Sequence, residues 1–512
     1  MRQVQTSHGK DEGIGKSVER QIFMRVFLEP PEPAASFYEP APLPPRFEPP
    51  RRGALSRGLY ALGEGLRRHQ TPIQRGQWVI VLAYLVLVAV PAFLPLPGRL
   101  AHLFDHLTLF AQFAFWGIWW PFVLLSMVLV GRSWCGLFCP EGTLTEAASR
   151  FGRGHAVPRW ITWKGWPFVA FALTSIYGQM VSVYQYPKPA LLILGGSTLG
   201  AIVIGYLYGR NHRVWCRYLC PVNGVFGVLA KLAPVHFGVD EQAWALSRRS
   251  HNAGVRMVNC APLVAIKTMR GASDCHMCGR CSGFRDAISL APRSPNHEIV
   301  HVAGAAPKPW ESALIIFGLM GLSAGAFHWS VSPWYVTLKQ AVAGWLIDHQ
   351  MLWPLRLQPP WWILTDYPAV NDQMTVLDGA VLLAYIGATA MAIGVPVSLC
   401  LWLAARSLGP SPVPRFHHFA QSLIPIAGCG VFLGLSAITV TMMRAEGLAL
   451  GFVGPLRALL LGGAALWVIV LGWRIAGLAG APLLRRCAAT FSIASAASIG
   501  VASWVMLFWV WQ

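Results

Sequence analysis

Long runs of apolar residues, bounded by charged or turn-forming residues, dominate the chain. A helix needs about 20 such residues to cross a hydrocarbon layer about 30 Å thick. The pattern therefore predicts an all-α polytopic membrane protein with about nine transmembrane helices, near 77–95, 108–130, 166–184, 190–208, 312–331, 379–405, 416–442, 455–474 and 488–511.

The composition agrees with a membrane protein, because 54% of the residues are hydrophobic and only 12% are charged. The net charge of +19 would also suit a nucleic-acid-binding protein. However, 35 of the 41 Lys and Arg residues fall on segments that lie inside if the N-terminus is cytoplasmic. The positive-inside rule therefore accounts for the charge, and no nucleic-acid partner is expected.

The same pattern divides the chain into four parts. Residues 1–75 are rich in Pro and charge and are predicted to form a disordered cytoplasmic tail without a cleavable signal. Residues 76–232 form a tandem two-helix repeat, and 233–305 a small cytoplasmic ferredoxin-like insertion. Residues 306–512 form a membrane domain of about five helices with a periplasmic loop at 332–376. That loop is rich in Trp and Pro, which suits either an interfacial platform or a docking surface for a redox partner.

The stretch DCHMCGRCSGF (274–284) has the C-x2-C-x2-C spacing of bacterial ferredoxins, but Arg285 stands where the fourth cysteine belongs. In two-cluster ferredoxins that fourth cysteine ligates the other cluster. The remaining ligand positions of that other cluster hold Ser250, Ala253 and Arg256, so one complete ligand set is missing. The surviving set predicts one [4Fe–4S] cluster, held by Cys260, Cys275, Cys278 and Cys281.

A zinc site is the alternative, disfavoured because C-x2-C-x2-C does not readily place three thiolates around one tetrahedral ion. Gly279 is expected to let backbone N–H groups approach the cluster, and Arg270, Arg280 and Arg285 to surround it. Thiols on a cytoplasmic face stay reduced, so metal or redox chemistry is favoured over disulfides.

A second cysteine signal is an internal repeat. GRSWCGLFCPEG (131–142) and HRVWCRYLCPVNG (212–224) share W-C-x3-C-P, with an offset of 81 residues at both cysteines. Two copies in the same orientation predict a pseudo-two-fold axis along the membrane normal, which brings both pairs together. The i, i+4 spacing predicts that both thiols of a pair share one helical face, with the Pro ending that helix or opening another. A second redox or metal site is expected at Cys135, Cys139, Cys216 and Cys220, its ligand undetermined.

The other polar and sulfur-containing residues near the predicted helices carry weaker signals. Cys400, Cys429 and Cys487 are isolated in apolar helices and are expected to pack as small hydrophobic residues. Two interpretations of the polar residues remain open. They either bind a cofactor, as paired histidines that hold haem or copper or as the lining of a quinone pocket, or they are ordinary polar residues at helix ends. The candidates are His102, His106 and His328 on the outer side, and His417, His418 and Gln421 on the inner side.

The doubled WCxxxCP motif followed by a cysteine-rich segment resembles the membrane polyferredoxin family of the NosR, NapH and CcoG proteins, over about residues 75–300. The stretch FHHFAQSLIPIAGCGVFLGLSAITVTMMRAEG (416–447) is similar to the FtrD-type subunit that accompanies bacterial iron permeases. The resemblance implies electron transfer at the bacterial inner membrane, with the clusters on the cytoplasmic side. It also implies a periplasmic cupredoxin or iron-binding protein as partner, beside an iron permease, with quinone as a further candidate.

The expected function is therefore iron–sulfur electron transfer in iron uptake, as a component of a larger system. A stand-alone reductase of Cu(II) or Fe(III), a quinol-linked donor to a periplasmic reductase, and a structural protein with a vestigial cluster remain alternatives. A cluster on one side of a layer about 30 Å thick cannot transfer electrons efficiently to a partner on the other side. An intermediate electron carrier is therefore also expected.

Overall fold

The computed structural model describes residues 53–98, 100–249 and 258–511. Its first half contains ten α-helices: α1 Ala54–Arg68, α2 Gln70–Ala89, α3 Leu107–Val130, α4 Ser133–Leu137, α5 Pro140–Arg150, α6 Trp166–Met180, α7 Pro187–Tyr208, α8 Val214–Tyr218, α9 Asn223–Ala230 and α10 Glu241–Arg249. A 3-10 turn, Val90–Phe93, extends α2, and π-helical turns interrupt α3 at Phe113–Trp119 and α7 at Leu191–Gly195.

The second half contains eight further α-helices: α11 Pro309–His328, α12 Pro333–Asp348, α13 Trp353–Arg356, α14 Val376–Ser407, α15 Pro412–Ser422, α16 Ile424–Ala445, α17 Val453–Gly477 and α18 Leu483–Val505. Two antiparallel strand pairs join β1 Val235–Val239 to β2 Ile288–Pro292, and β3 Asp366–Tyr367 to β4 Asp372–Gln373. Helices thus form nearly all of the regular structure in the described ranges.

Eight helical segments in the described ranges are long and apolar enough to cross a membrane: Gln70–Phe93, Leu107–Val130, Pro187–Tyr208, Pro309–His328, Val376–Ser407, Pro412–Ala445, Val453–Gly477 and Leu483–Val510. The multi-pass helical prediction is confirmed, but the count of nine is not. The segment predicted at 166–184 forms α6, whose 15 residues span about 22 Å at 1.5 Å per residue. That is shorter than a hydrocarbon layer of about 30 Å.

The helices form one bundle with two distinct ends. The cysteine end carries Cys135, Cys216 and Cys275, and the opposite end carries His328 and Arg444. The largest core cluster joins α3 and α9 to the five long helices of the C-terminal part. The repeat helices and the C-terminal helices therefore share one apolar interior.

The ferredoxin-like segment caps the cysteine end. Strand β1 pairs with β2 in the register Phe237↔Leu290, and both side chains are buried against Cys275 and Met277. The chain between the two strands carries all four predicted ligands of the single cluster. Positions 250, 253 and 256, where the other ligand set would begin, lie outside the described residues.

The predicted tail is wrong for residues 54–75, because they form α1 and the start of α2. Residues 1–52 lie outside the described residues. Helix α1 packs on β2 through the buried Gly63, where an added Cβ would lie 3.1 Å from Leu290. Its Glu64 carboxylate accepts a hydrogen bond from the Ser282 hydroxyl at 2.8 Å. The sequence ALSRGLYALGEGLRR contains no Pro and repeats apolar residues at helical spacing, a signal that the Pro-rich flank obscured.

The segment 332–376 forms a platform at the opposite end. Its main element is α12, whose Trp334 and Trp345 are exposed while Tyr335 and Leu346 are buried. The Tyr367 ring stacks on Tyr186 at 3.6 Å between centroids, which fixes the platform to the repeat domain. The interfacial helix predicted here is present as a helix with an exposed aromatic face.

Candidate functional site

The first WCxxxCP motif spans two helices instead of one. Cys135 lies in α4, which ends before Phe138, and Cys139 is the N-cap of α5. The Cys139 sulfur accepts a hydrogen bond from the Gly142 N–H at 3.4 Å, and Pro140 occupies the first turn of α5. The prediction that both thiols share one helical face is therefore wrong. The prediction that the proline opens a new helix is confirmed for this motif.

The second motif repeats the backbone of the first. The Cys139 N–H donates to the Trp134 carbonyl at 2.9 Å, and the Cys220 N–H donates to the Trp215 carbonyl at 3.0 Å. Cys216 lies in α8 as Cys135 lies in α4. The two copies thus fold alike, as the internal repeat predicts.

The two copies place their cysteines around one chamber. Cys135, Cys139, Cys216 and Cys220, hereafter the repeat set, all line a cavity of about 150 Å³. Burial raises the pKa of the Cys139 and Cys220 thiols well above the ordinary value, and the neighbouring cysteines raise it further. The convergence predicted from the spacing is present in the structure.

Glu141 also lines the chamber, a role that the cysteine spacing does not indicate. Burial raises the pKa of its carboxyl, although hydrogen bonds from Ser197 and Trp215 oppose this shift. The Trp215 indole donates to Glu141 at 3.1 Å. A carboxyl with a raised pKa adds less negative charge to a chamber that already holds four sulfur atoms.

Cys260, Cys275, Cys278 and Cys281, hereafter the ferredoxin-like set, also converge. Burial raises the pKa of Cys275 to about 12 and that of Cys281 well above the ordinary value. The other members of the set raise both pKa values further, and Cys275 and Cys281 pack in the same apolar cluster. The Cys275 sulfur accepts a hydrogen bond from the Met277 N–H at 3.3 Å.

Glycine is required at position 279 because of the backbone conformation there and because Leu66 lies close by. Its φ is +75°, and an added Cβ would lie 2.5 Å from the Leu66 Cβ in α1. A side chain here would be strained by conformation and would clash with α1. Close packing of α1 on the cysteine loop is thus a further reason for this glycine, beside the predicted approach of backbone N–H groups.

Arg285 fills the place of the missing fourth cysteine. Its guanidinium lies 5.2 Å from the Trp244 ring centroid, and its Nη1 donates to the Ser247 hydroxyl at 3.3 Å. Arg280 instead donates to the Glu146 carboxylate at 2.7 Å, and Arg270 lines a surface pocket beside Lys267. The three arginines predicted to surround the cluster therefore have separate environments.

The two cysteine sets touch through the backbone. An added Cβ at Gly136 would lie 2.9 Å from the Cys278 nitrogen, and closer still to the His276 carbonyl oxygen. Gln77 donates to the Gly136 carbonyl at 3.0 Å, and Gln70 donates to the Cys278 carbonyl at 3.1 Å. These two side chains of α2, seven residues apart, therefore hold the two cysteine loops against each other.

Two buried arginines at equivalent repeat positions brace this junction. Arg213 donates to the Cys135 carbonyl at 2.7 Å and forms an ion pair with Glu146 at 2.7 Å. Arg132 donates to the Ser273 carbonyl at 2.9 Å, next to the ferredoxin-like loop. The side chains of Arg213 and Arg132 are almost fully buried. Their positions before each WCxxxCP motif were visible in the sequence, but their role as braces was not.

Arg213 acts electrostatically on both sets. Burial opposes its charged form, yet Glu146, Cys216 and Cys278 raise the pKa of Arg213 above its ordinary value. Burial and the nearby arginines hold the pKa of His276 well below its ordinary value. His276 lines the repeat-set chamber from the ferredoxin-like loop, so this neutral imidazole joins the two sites.

The chemistry of the donors fits an iron–sulfur cluster, because each set offers four cysteine thiols and such clusters are held by cysteine thiolates. Within the described residues, no group of three His, Cys, Asp or Glu side chains could hold one metal ion. A zinc site would need four sulfurs about 2.3 Å from one centre. The repeat set instead lines a cavity that His276 also lines, and the buried Nδ1 of His276 makes no hydrogen bond to a described residue. Buried thiols with raised pKa values release protons when a metal cluster binds them.

The three outer histidines have different contact partners. His102 contacts Glu446 at 3.2 Å, and His106 caps α3 by accepting from the Thr108 N–H. His328 is buried beside the rings of Trp504 and Trp511. These contacts are of the kind expected for polar residues at helix ends and in loops, and a ligand role for these histidines stays an untested alternative.

The inner candidates are buried in the bundle and hydrogen-bonded. His417 contacts the Ser312 hydroxyl at 2.9 Å, and His418 contacts the Ile299 carbonyl at 2.9 Å. Gln421 accepts from Lys231 at 2.6 Å. A quinone pocket at these residues stays a prediction. The isolated Cys400 and Cys429 are partly buried, as expected for packing residues, whereas Cys487 is exposed.

Comparison with known proteins supports iron–sulfur chemistry. A family described as "4Fe-4S binding domain" matches residues 112–157 and 191–240, the two stretches that contain the repeat set. The Escherichia coli (strain K12) protein named "Putative electron transport protein YccM" is 24% identical over 226 residues, which cover 39% of this chain and 61% of that relative. No solved structure matches the chain. The protein therefore binds a [4Fe–4S] cluster, and both findings support a membrane-type iron–sulfur electron-transport family.

Proposed function

We propose that the protein is a membrane-bound electron-transfer protein that holds two [4Fe–4S] clusters side by side. The ferredoxin-like set would hold one cluster, and the repeat set would hold the other. The observation that carries the proposal is the direct backbone contact between the two sets at Gly136 and the Cys278 loop. When bound, such clusters accept and return single electrons, at potentials that depend on charge, hydrogen bonding and solvent exposure.

The residues around the two sets would tune and protect this chemistry. Arg213 and Arg132 place positive charge between the sets, which favours a reduced and more negative centre. The aromatic side chains Trp119, Trp120 and Trp134 line the repeat-set chamber and exclude water from it. The Met277 N–H donates to a ligand sulfur, which stabilises the negative charge on that atom.

A chain of cavities leads from the repeat set toward the opposite end. A second cavity of about 150 Å³ shares Trp120, Thr174 and Phe226 with the repeat-set chamber. Its far side reaches Gln179 and Tyr184, which also line a larger cavity at the opposite end. This path supports the expectation of an intermediate carrier, since a cluster at one end of the bundle is too far from a partner at the other.

We place the cysteine end in the bacterial cytoplasm and the platform in the periplasm, because the Lys and Arg distribution follows the positive-inside rule. The resemblance to the FtrD-type subunit favours electron exchange with a periplasmic copper or iron carrier during iron uptake. The exposed aromatic side chains of the platform, including Trp334, Trp345 and Trp353, support docking of such a partner.

The test is the amount of iron and acid-labile sulfide per chain in anaerobically purified protein. We expect about eight irons in the wild type and about four in each of the variants Cys135→Ser/Cys216→Ser and Cys275→Ser/Cys278→Ser. The matched control Cys400→Ser should keep the wild-type content. About four irons per chain in both the wild type and Cys135→Ser/Cys216→Ser would refute the proposal of a second cluster. A wild-type protein without iron would refute the proposal of electron transfer itself.

A further inference from the structure

The large cavity at the opposite end, hereafter the vestibule, has a volume of about 820 Å³. This is within the range of about 300–1,000 Å³ that is typical of ligand pockets. Apolar side chains form much of its wall, including Leu109, Ile438, Leu507 and Phe508. Its polar groups come from several separate segments of the chain.

Two arginines line the vestibule. Arg457 is only 7% exposed, and its Nε makes no hydrogen bond to any residue that the structure describes. Its guanidinium lies 4.0 Å from the Phe508 ring centroid, a cation–π contact. Arg444 lines the same cavity, and neither arginine takes part in a salt bridge within the described residues.

Nearby carboxylates are directed elsewhere. Of the described residues that line the vestibule, none is Asp or Glu. Glu446 accepts from the Leu103 N–H at 2.7 Å and contacts His102. Asp372 accepts from the Tyr186 hydroxyl at 2.6 Å. The vestibule therefore concentrates positive charge that the surrounding side chains do not neutralise.

A buried cation without a counter-charge is costly, and a cation–π contact offsets only part of that cost. An anion in the vestibule would supply the missing partner. Arginine is suited to this role because its planar fork binds phosphate or carboxylate oxygens in pairs. Both arginines lie near the ends of helices long enough to cross a membrane, which is the level of the lipid headgroups. Arg457 lies four residues after the first residue of α17, about 6 Å along the helix axis, and Arg444 lies at the end of α16.

We propose that the vestibule binds a phosphate group attached to an apolar body. Arg457 and Arg444 hold the phosphate, and the wall formed by Ile438, Leu507 and Phe508 contacts the hydrocarbon. An anionic phospholipid of the membrane and a soluble phosphate compound share this chemistry. The site does not depend on the iron–sulfur assignment, because it lies at the end of the bundle away from the cysteines.

The first arm of the test measures phospholipid retained per chain, by native mass spectrometry of detergent-purified full-length protein. The variants are Arg457→Gln, Arg444→Gln and the control Arg474→Gln, an exposed arginine in the last turn of the same helix as Arg457. We expect about one phospholipid on the wild type and the control, and at least tenfold less on Arg457→Gln. Arg444→Gln replaces an exposed side chain, so its folding is secure and it should also lose lipid.

The second arm titrates inorganic phosphate into delipidated protein and follows the thermal unfolding midpoint. A rise in the wild type and the control, but not in Arg457→Gln or Arg444→Gln, with no lipid retained in the first arm, identifies a soluble phosphate as the source. Lipid retention with the same dependence on the two arginines identifies the membrane as the source. Equal lipid retention and equal phosphate response in all four proteins would overturn the proposal.

Discussion

The contact between the two cysteine sets predicts a strong effect of Gly136→Ala. An added Cβ would lie 2.9 Å from the Cys278 nitrogen and 3.1 Å from its Cα. Both are backbone atoms, so no side-chain rotation relieves the clash. Overpacking of this kind costs about 1–3 kcal/mol, and the helix propensity of alanine returns only about 1 kcal/mol. With the clash at its upper limit, we expect the free energy of unfolding to fall by about 2 kcal/mol. The strain acts at the contact between the two cysteine loops.

The assay is iron per chain, compared with secondary structure from circular dichroism. We expect Gly136→Ala to keep its helical content but to hold less than half of the wild-type iron, because the strain falls on both cysteine loops. The matched control is Gly58→Ala, a helical position at the same end where an added Cβ meets nothing within 4 Å. Wild-type iron content in Gly136→Ala, with the same thermal midpoint, would refute the close approach of the two sets.

Three further predictions concern the surroundings of the sets. Arg213→Gln removes a positive charge between the two cysteine sets. We therefore expect the midpoint potentials of both clusters to fall by on the order of 50 mV in redox titrations. Potentials equal to those of the exposed control Arg150→Gln would contradict this. Lys231→Met should destabilise the protein by about 1–3 kcal/mol, because the half-buried Glu311 loses its closest cation and keeps only Lys308 at 3.8 Å and a hydrogen bond from Gln421. Lys231→Met/Glu311→Leu should recover most of that loss in thermal unfolding, and no recovery would exclude a paired role. Single serine variants of the three isolated cysteines, Cys400, Cys429 and Cys487, should keep the wild-type iron content. A loss of iron in any of these variants would show that the replaced cysteine is a ligand.

The long apolar runs determined most of the fold, because a helix that crosses lipid needs a length and composition that few other sequences share. The predicted 108–130 became Leu107–Val130, and 190–208 became Pro187–Tyr208. The α6 segment was misjudged, because its helix stops at Met180 and the following residues form turns. Helix α1 was missed because its amphipathic pattern is short and follows a Pro-rich stretch.

Cysteine spacing grouped the candidate ligands into two sets of four, since thiol spacing along the chain is a local property that the sequence records directly. Only the tertiary structure brought the sets into contact. The approach of Gly136 to the Cys278 loop joins positions more than 130 residues apart. The bond from Arg213 to the Cys135 carbonyl and the contribution of Glu141 to the chamber also depend on how the two repeats pack. Long-range packing of this kind leaves no periodic pattern in one sequence, so the spacing determined which cysteines belong together and the fold decided what surrounds them.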